Sequence, residues 1–146
     1  MELILFIGLP ATGKSSFYRE RFYRTHVRLN LDMLKTRHRQ RLLLEACFAG
    51  KTKVVIDNTN LTKAERAEYI EPARVAGFVV HGYFFESRVA DAQLRNAQRP
   101  EGERVPELAI PGASGRLQLP ERAEFDQLYF VRLAAGQGFM VEDWHS

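Results

Sequence analysis

One stretch constrains this chain more than any other: Leu-Ile-Leu-Phe-Ile-Gly-Leu-Pro-Ala-Thr-Gly-Lys-Ser-Ser-Phe over residues 3–17, where an apolar run breaks into a glycine-bounded loop closed by Lys14-Ser15. Gly8 to Ser15 fits the spacing G-x-x-x-x-G-K-[ST] at every specified position. The two glycines let the backbone curl, so that successive N–H groups point at one spot. A helix starting near Lys14 would add its positive N-terminal end there. Such a cradle suits phosphate. Gly8, Ala11, Thr12, Gly13, Lys14, Ser15 and Ser16 are therefore the expected nucleotide-binding residues, with ATP and Mg²⁺ as the expected cofactors. Lys14 would reach the β- and γ-phosphates, and the Ser15 hydroxyl would ligate the metal.

The rest of the chain supplies the frame this loop needs. Glu2 to Ile7 predicts a buried strand and Lys14 to about Arg24 a helix; Val-Arg-Leu-Asn at 27–30 predicts a short strand. Leu31 to Ala49 reads as one helix ending at Gly50, and Lys-Val-Val-Ile-Asp at 53–57 as a β-branched strand. Thr62, with Glu65 three residues on, opens a helix that stops at Gly77. A strand over 78–85, a helix from Arg88 to Gln98 and a last strand over 125–133 follow, with residues 138–144 closing the chain. Strands alternating with helices predict an α/β fold, a parallel sheet of about five strands flanked by helices. Between Pro100 and Pro120 lie four of the six prolines with three glycines, which predicts a long loop or lid. The length of 146 residues suits one domain over 1–146.

Composition narrows the partners. No run approaches the roughly 18 apolar residues of a membrane span, and the N-terminus reads as a core strand, not a signal peptide. Cys47 is the single cysteine, so an internal disulfide is excluded and a reducing cytoplasm is expected. The net charge of +3 is uneven: Lys14 to Arg41 holds nine Lys and Arg against Glu20 and Asp32, a net +7, which leaves −4 elsewhere. A basic segment beside a phosphate loop points to a polyanionic ligand, or else to solvated helix faces next to a nucleotide site. Phe17, Tyr18, Phe22 and Tyr23 are the aromatics among those arginines, too few for base-specific reading. His26, His38, His81 and His145 show no metal-ligand spacing, and Trp144, Phe139 and Met140 suggest terminal packing.

Three further places can carry acceptor chemistry. Asp32 follows the second strand, so it sits in the crevice of an α/β sheet and can take a proton from an attacking hydroxyl. It can equally cap the helix behind it. Asp57, Asn58, Thr59 and Asn60 end the third strand with four short polar groups, Asp57 being suited to the Mg²⁺ side. Arg95 and Arg99 stand four apart on one predicted helical face, with Arg88 and Arg104 flanking. That pair is either a solvated basic face or the arginines of a lid that neutralises a transferring phosphoryl group.

Taken in order, "GLPATGKSSF", "NLDMLK", "VVIDNTNLTKAERAEYI", "LRNAQR" and "LQLPERAEFDQLYFV" resemble the kinase domain of polynucleotide 5′-hydroxyl kinases, and the likeness covers most of the chain. The resemblance implies a P-loop kinase fold with an arginine-bearing lid and an acceptor at the 5′-OH end of DNA or RNA. It implies Asp32 as the base, Lys14 with Arg99 and Arg95 at the transferring phosphate, and Ser15 at Mg²⁺. Asp57, Asn58 and Asn60 would organise the site.

Two departures from that family stand out. Lys35 replaces an arginine three residues after the catalytic aspartate, which keeps charge but loses the bidentate fork. Arg37 or Arg39 is the available substitute. There is also no room for a phosphatase domain, which implies a lone kinase or one with a separately encoded phosphatase or ligase. A small-molecule kinase acting on a sugar, nucleoside or antibiotic hydroxyl, and a non-catalytic nucleotide-binding module, are the competing readings.

Overall fold

A computed structural model describes residues 1–134 and 138–145. Six strands form one sheet: β1 (Glu2–Ile7), β2 (Val27–Leu29), β3 (Val54–Ile56), β4 (Val79–Phe85), β5 (Gln127–Ala134) and β6 (Gly138–Asp143). Their spatial order is β2-β3-β1-β4-β5-β6. Every pairing is parallel except β5 with β6. The helices are α1 (Lys14–Arg21), α2 (Leu31–Leu34), α3 (Arg37–Ala49), α4 (Lys63–Val75), α5 (Val89–Gln98) and α6 (Ala109–Arg116).

Central β1 explains why its sequence is apolar without alternation. Leu3, Leu5 and Ile7 join one cluster with Val54, Ile56, Ile70 and Phe78, while Ile4 and Phe6 join another with Phe17, Phe22 and Phe85. Successive side chains leave a strand on opposite faces, so burial of both faces demands a continuous hydrophobic run. The Phe6 ring meets that of Phe85 at 5.0 Å, and Phe17 meets Phe139 at 5.1 Å. Trp144 is buried against Phe84 at 5.3 Å, as terminal packing predicts.

Three expectations need correction. The sheet has six strands because the closing segment runs antiparallel to β5, with Val131 opposite Val141 and Leu133 opposite Phe139. Its outward and inward residues alternate, a signal hidden by the shortness of the segment.

The helix over 31–49 is two helices. Lys35 adopts φ 75° and Thr36 takes the N-cap of α3, its hydroxyl accepting from the Arg39 N–H at 3.1 Å. A threonine side chain offers the backbone this alternative to helix continuation.

The proline-rich stretch contains α6. Pro111 lies in its first turn, where a missing N–H costs nothing, and Ile110 and Ala113 bury against Leu9, Leu61 and Ala92.

The consequence for function is geometric. β1, β2 and β3 end at one edge of the sheet, and the loops that follow them face one another across a crevice.

Candidate active site

The loop after β1 needs both of its glycines. Gly8 has φ 154° and a Cβ there would stand 3.1 Å from that of Phe85; Gly13 has φ 96° and its Cβ would stand 3.0 Å from the Phe139 ring. Neighbours pin the loop in place. The Gly8 N–H donates to the Thr59 carbonyl at 3.0 Å, the Leu9 N–H to Ser87 Oγ at 3.1 Å, and Arg95 Nη1 to the Ala11 carbonyl at 3.3 Å. Thr12 Oγ1 donates to the Leu9 carbonyl at 2.8 Å. Ser16 is exposed and accepts from Arg19 Nη2 at 3.3 Å.

Lys14 folds back into this cradle. Its Nζ donates to the Gly8 carbonyl at 3.0 Å and the Leu9 carbonyl at 2.5 Å. Burial pulls the ammonium from its ordinary 10.5 down to about 8; Asp57 and Asp32 oppose this, and Arg99 adds to it. A cation this poorly solvated, with a second cation beside it, is poised for a polyanion.

Behind Lys14 lies a closed triangle. Asp57 is 1% exposed, and its Oδ2 accepts from Ser15 Oγ at 3.0 Å and from Arg28 Nε at 2.8 Å. Arg28 Nη2 donates to Ser15 Oγ at 3.0 Å. Sequence reasoning assigned Arg28 no site role, although an arginine inside a short strand beside a strand ending in aspartate was the available signal. Ser15 and Asp57 offer the one hydroxyl and one carboxylate that suit Mg²⁺, an ion that keeps waters and phosphate oxygens as its remaining ligands. Among the described residues there is no group of three or more His, Cys, Asp or Glu able to hold a metal by itself.

Asparagines stitch β2 to β3. Asn30 caps α2, its side chain accepting from the Met33 N–H at 3.0 Å while Nδ2 donates to the Asp57 carbonyl at 2.5 Å. Asn58 Oδ1 accepts from the Leu31 N–H at 2.9 Å, and its Nδ2 donates to Gln40 Oε1 at 2.9 Å. Asn30, not Asp32, is thus the helix cap. The Asp32 side chain is left to line a crevice of about 310 Å³ with Lys14, Ser15, Asp57 and Arg99. A larger trough of about 770 Å³ shares Ser15, Asp32 and Arg99 and runs out past Arg19, Arg28, Lys35 and Arg104.

Not every anticipated residue is brought there. Arg37 lines a separate groove with Gln40 and Tyr69, because the break at Lys35 and Thr36 reorients α3. Arg39 donates to the Leu34 carbonyl at 3.2 Å. Neither stands in for the fork that Lys35 lacks. Asn60 is buried at φ 47° with Nδ2 on the Phe6 carbonyl at 2.7 Å, so it braces β1 against the turn. Arg99 leaves the helical face it was expected to share with Arg95. Pro100 holds the residue before it extended, here at φ −72° and ψ 152°. Arg99 therefore projects into the crevice while Arg95 braces the loop. Arg104 Nε donates to the Arg99 carbonyl at 2.8 Å, and both polar atoms of the Asn96 amide pair with Val105 at 3.0 Å. Of the aromatics in the basic segment, Phe17, Tyr18 and Phe22 are core, and Tyr23 is exposed.

A phosphate loop at the head of the central strand, with Asp57 ending the neighbouring β3, Asp32 in the helix that follows β2 and an arginine from the segment after α5, defines a P-loop kinase-like nucleotide-binding domain. This is a scaffold for phosphotransferase chemistry in general. Residues 3–120 match the AAA_33 family, an AAA domain, and the chain belongs to that family. It is similar to the bifunctional polynucleotide phosphatase/kinase of Schizosaccharomyces pombe, at 29% identity over 124 residues, 82% of this chain and 30% of the relative's length. Its fold resembles Chaetomium thermophilum Kti12, solved in complex with ADP-AlF3 (TM-score 0.66, 17% identity, 92% of this chain and 91% of that one). It also resembles a gluconokinase from Sinorhizobium meliloti 1021 (TM-score 0.65, 17% identity, 91% and 83%). At these identities the structural likeness is one of fold alone. Among the described residues no helix is long and apolar enough to cross a membrane.

Proposed function

We propose that this chain is an ATP- and Mg²⁺-dependent kinase that transfers the γ-phosphate to the 5′-hydroxyl end of a polynucleotide. The observation that carries this reading is the position of Asp32. It is freed from capping, shares a crevice with Lys14, Ser15 and Arg99, and opens onto a trough edged by Arg19, Arg28, Lys35 and Arg104. A trough lined by cations fits an acceptor whose own backbone is anionic, since Lys and Arg contacts to phosphates supply sequence-independent affinity. The polynucleotide phosphatase/kinase relative supports the same acceptor class.

Each group in the crevice then has a task. Asp32 accepts the proton of the acceptor hydroxyl as its oxygen bonds to the γ-phosphorus and the bond to the ADP oxygen breaks. Lys14 and Arg99 balance charge on the transferring phosphoryl oxygens. Ser15 and Asp57 would hold Mg²⁺, which when bound draws charge from the β- and γ-phosphates. Backbone N–H groups of residues 11–15 fix the phosphates, because those of Gly8 and Leu9 are taken by Thr59 and Ser87 and Pro10 has none, and the segment from Arg99 to Val105 excludes water above them.

Transfer of labelled γ-phosphate from ATP to short 5′-OH DNA and RNA oligonucleotides tests the reading, with Asp32→Ala as control. Label at the 5′ end that the variant fails to transfer supports it. Intact ATP binding with no labelled oligonucleotide would instead favour a small hydroxylated acceptor, the reading that the gluconokinase-like fold suggests.

A further inference from the structure

The Ser15–Asp57 pair does not stand alone; Arg28 already occupies it. One guanidinium engages both oxygens, Nε on Asp57 Oδ2 at 2.8 Å and Nη2 on Ser15 Oγ at 3.0 Å. The serine proton goes to Asp57 at 3.0 Å, so the hydroxyl lone pair that a metal would use accepts from Arg28. A carboxylate 1% exposed has no solvent to stabilise it, and a buried charge without a partner is costly. We propose that Arg28 is a built-in counter-cation of the metal site: it neutralises Asp57 while no metal is bound and must swing away for Mg²⁺ to enter. The proposal rests on the reading of Ser15 and Asp57 as the Mg²⁺ side, but not on the identity of the acceptor.

Geometry gives the guanidinium somewhere to go. The Arg28 side chain is 26% exposed, against 1% for Asp57, so it reaches the pair from the solvent side. It rests 5.9 Å over the Tyr18 ring and forms part of the trough wall with Arg19 and Lys35. Rotation about its flexible stem moves one positive charge from the metal pair into the trough. A divalent ion and a guanidinium repel each other and cannot share the same two oxygens, so the exchange is competitive. Apparent metal affinity is then lower than the two ligands alone would give.

Mn²⁺ titration of the protein with saturating ADP, followed by electron paramagnetic resonance, tests this without any acceptor. Arg28→Gln should lower the Mn²⁺ concentration at half-saturation on the order of tenfold, an effect the size of one lost charge-assisted contact. Arg28→Lys keeps a cation near Asp57 but cannot bridge to Ser15, and should give an intermediate shift of about threefold, half that free energy. A midpoint that is unchanged or raised in both variants would overturn the proposal and make Arg28 a brace for the pair. Thermal melting without metal gives a second reading: Arg28→Gln should melt lower than the parent and regain more on addition of Mn²⁺ and ADP. Equal melting of the two metal-free proteins would also overturn it. Should Arg28→Gln not fold, the Arg28→Lys midpoint decides by itself. Failure of the end-kinase reading would show as unlabelled oligonucleotide with the metal shift intact, so the two are told apart.

Discussion

The Arg66 guanidinium, with no exposed surface, donates from Nε to Glu124 Oε1 at 2.9 Å. Its Nη1 also donates to the carbonyls of Asn60, Leu61 and Gln118, at 3.0, 3.1 and 3.0 Å. One side chain therefore ties α4, the turn after β3 and the segment leading to β5 into a unit behind the crevice lined by Lys14 and Asp57. Arg66→Met removes the cation, leaves the Asn60 and Gln118 carbonyls without their donor, and leaves the Glu124 carboxylate with the Glu121 N–H but no counter-charge. Breaking a buried pair from one side costs about 3–5 kcal/mol. Urea denaturation should show a loss of that size, and a loss below about 1 kcal/mol would mean that water replaces the network.

Lys14 should make nucleotide affinity depend on pH. In the free protein burial lowers its pKa to about 8, whereas bound phosphates would hold the proton on. Binding above pH 8 therefore takes up a proton, and affinity should fall tenfold per pH unit there while staying flat below. Calorimetry of ADP binding in two buffers of different ionisation enthalpy reads the proton directly. Affinity that stays level up to pH 9.5 would contradict this. For stability the sign is opposite. The folded pKa lies below the unfolded one, so this group's destabilisation is greatest below pH 8 and is relieved as pH rises from 8 to 10.5.

Gly13→Ala should damage the loop more than a helix-start alanine ordinarily would. The backbone there has φ 96°, and the added Cβ would sit 3.0 Å from the Phe139 ring. A left-handed alanine costs roughly 1–2 kcal/mol before the ring moves. Denaturation should show at least that loss, and ADP binding should weaken with it. A variant of unchanged stability would indicate that β6 yields to the new methyl group.

Arg95 and Arg99 should separate kinetically, despite standing four residues apart. Arg99 lines the crevice beside Lys14, while Arg95 holds the Ala11 carbonyl from outside the loop. Arg99→Ala should lower kcat by about 10²–10³, the usual effect of losing one donor to a transition-state oxyanion. Arg95→Ala should leave kcat near that of the parent and raise KM for ATP up to about tenfold, the value of one net hydrogen bond. Equal effects on kcat would place both arginines on the transferring group.

Much of this protein was legible in its residues. The phosphate loop, the parallel sheet and the carboxylates that follow β2 and β3 come from local rules: glycine freedom, burial of both faces of β1, and polar residues ending apolar strands. Four specified residues in a span of eight determine a backbone cradle, because that cradle is built from N–H groups of one short segment. What pairs across the sheet was not legible. Arg28 on Asp57, Arg66 on Glu124 and Asn60 on the Phe6 carbonyl join residues 29, 58 and 54 positions apart, and an exposed surface would have suited each of those polar residues equally well in the sequence. Tertiary structure also decided which arginine faces the crevice. Arg95 and Arg99 share a periodicity, but Pro100 ends the helix between them. Arg37 was lost to another groove by one threonine cap. Sequence by itself determined that this chain holds phosphate; only the packed sheet decided which side chains surround it, because burial turns distant charges into obligatory partners.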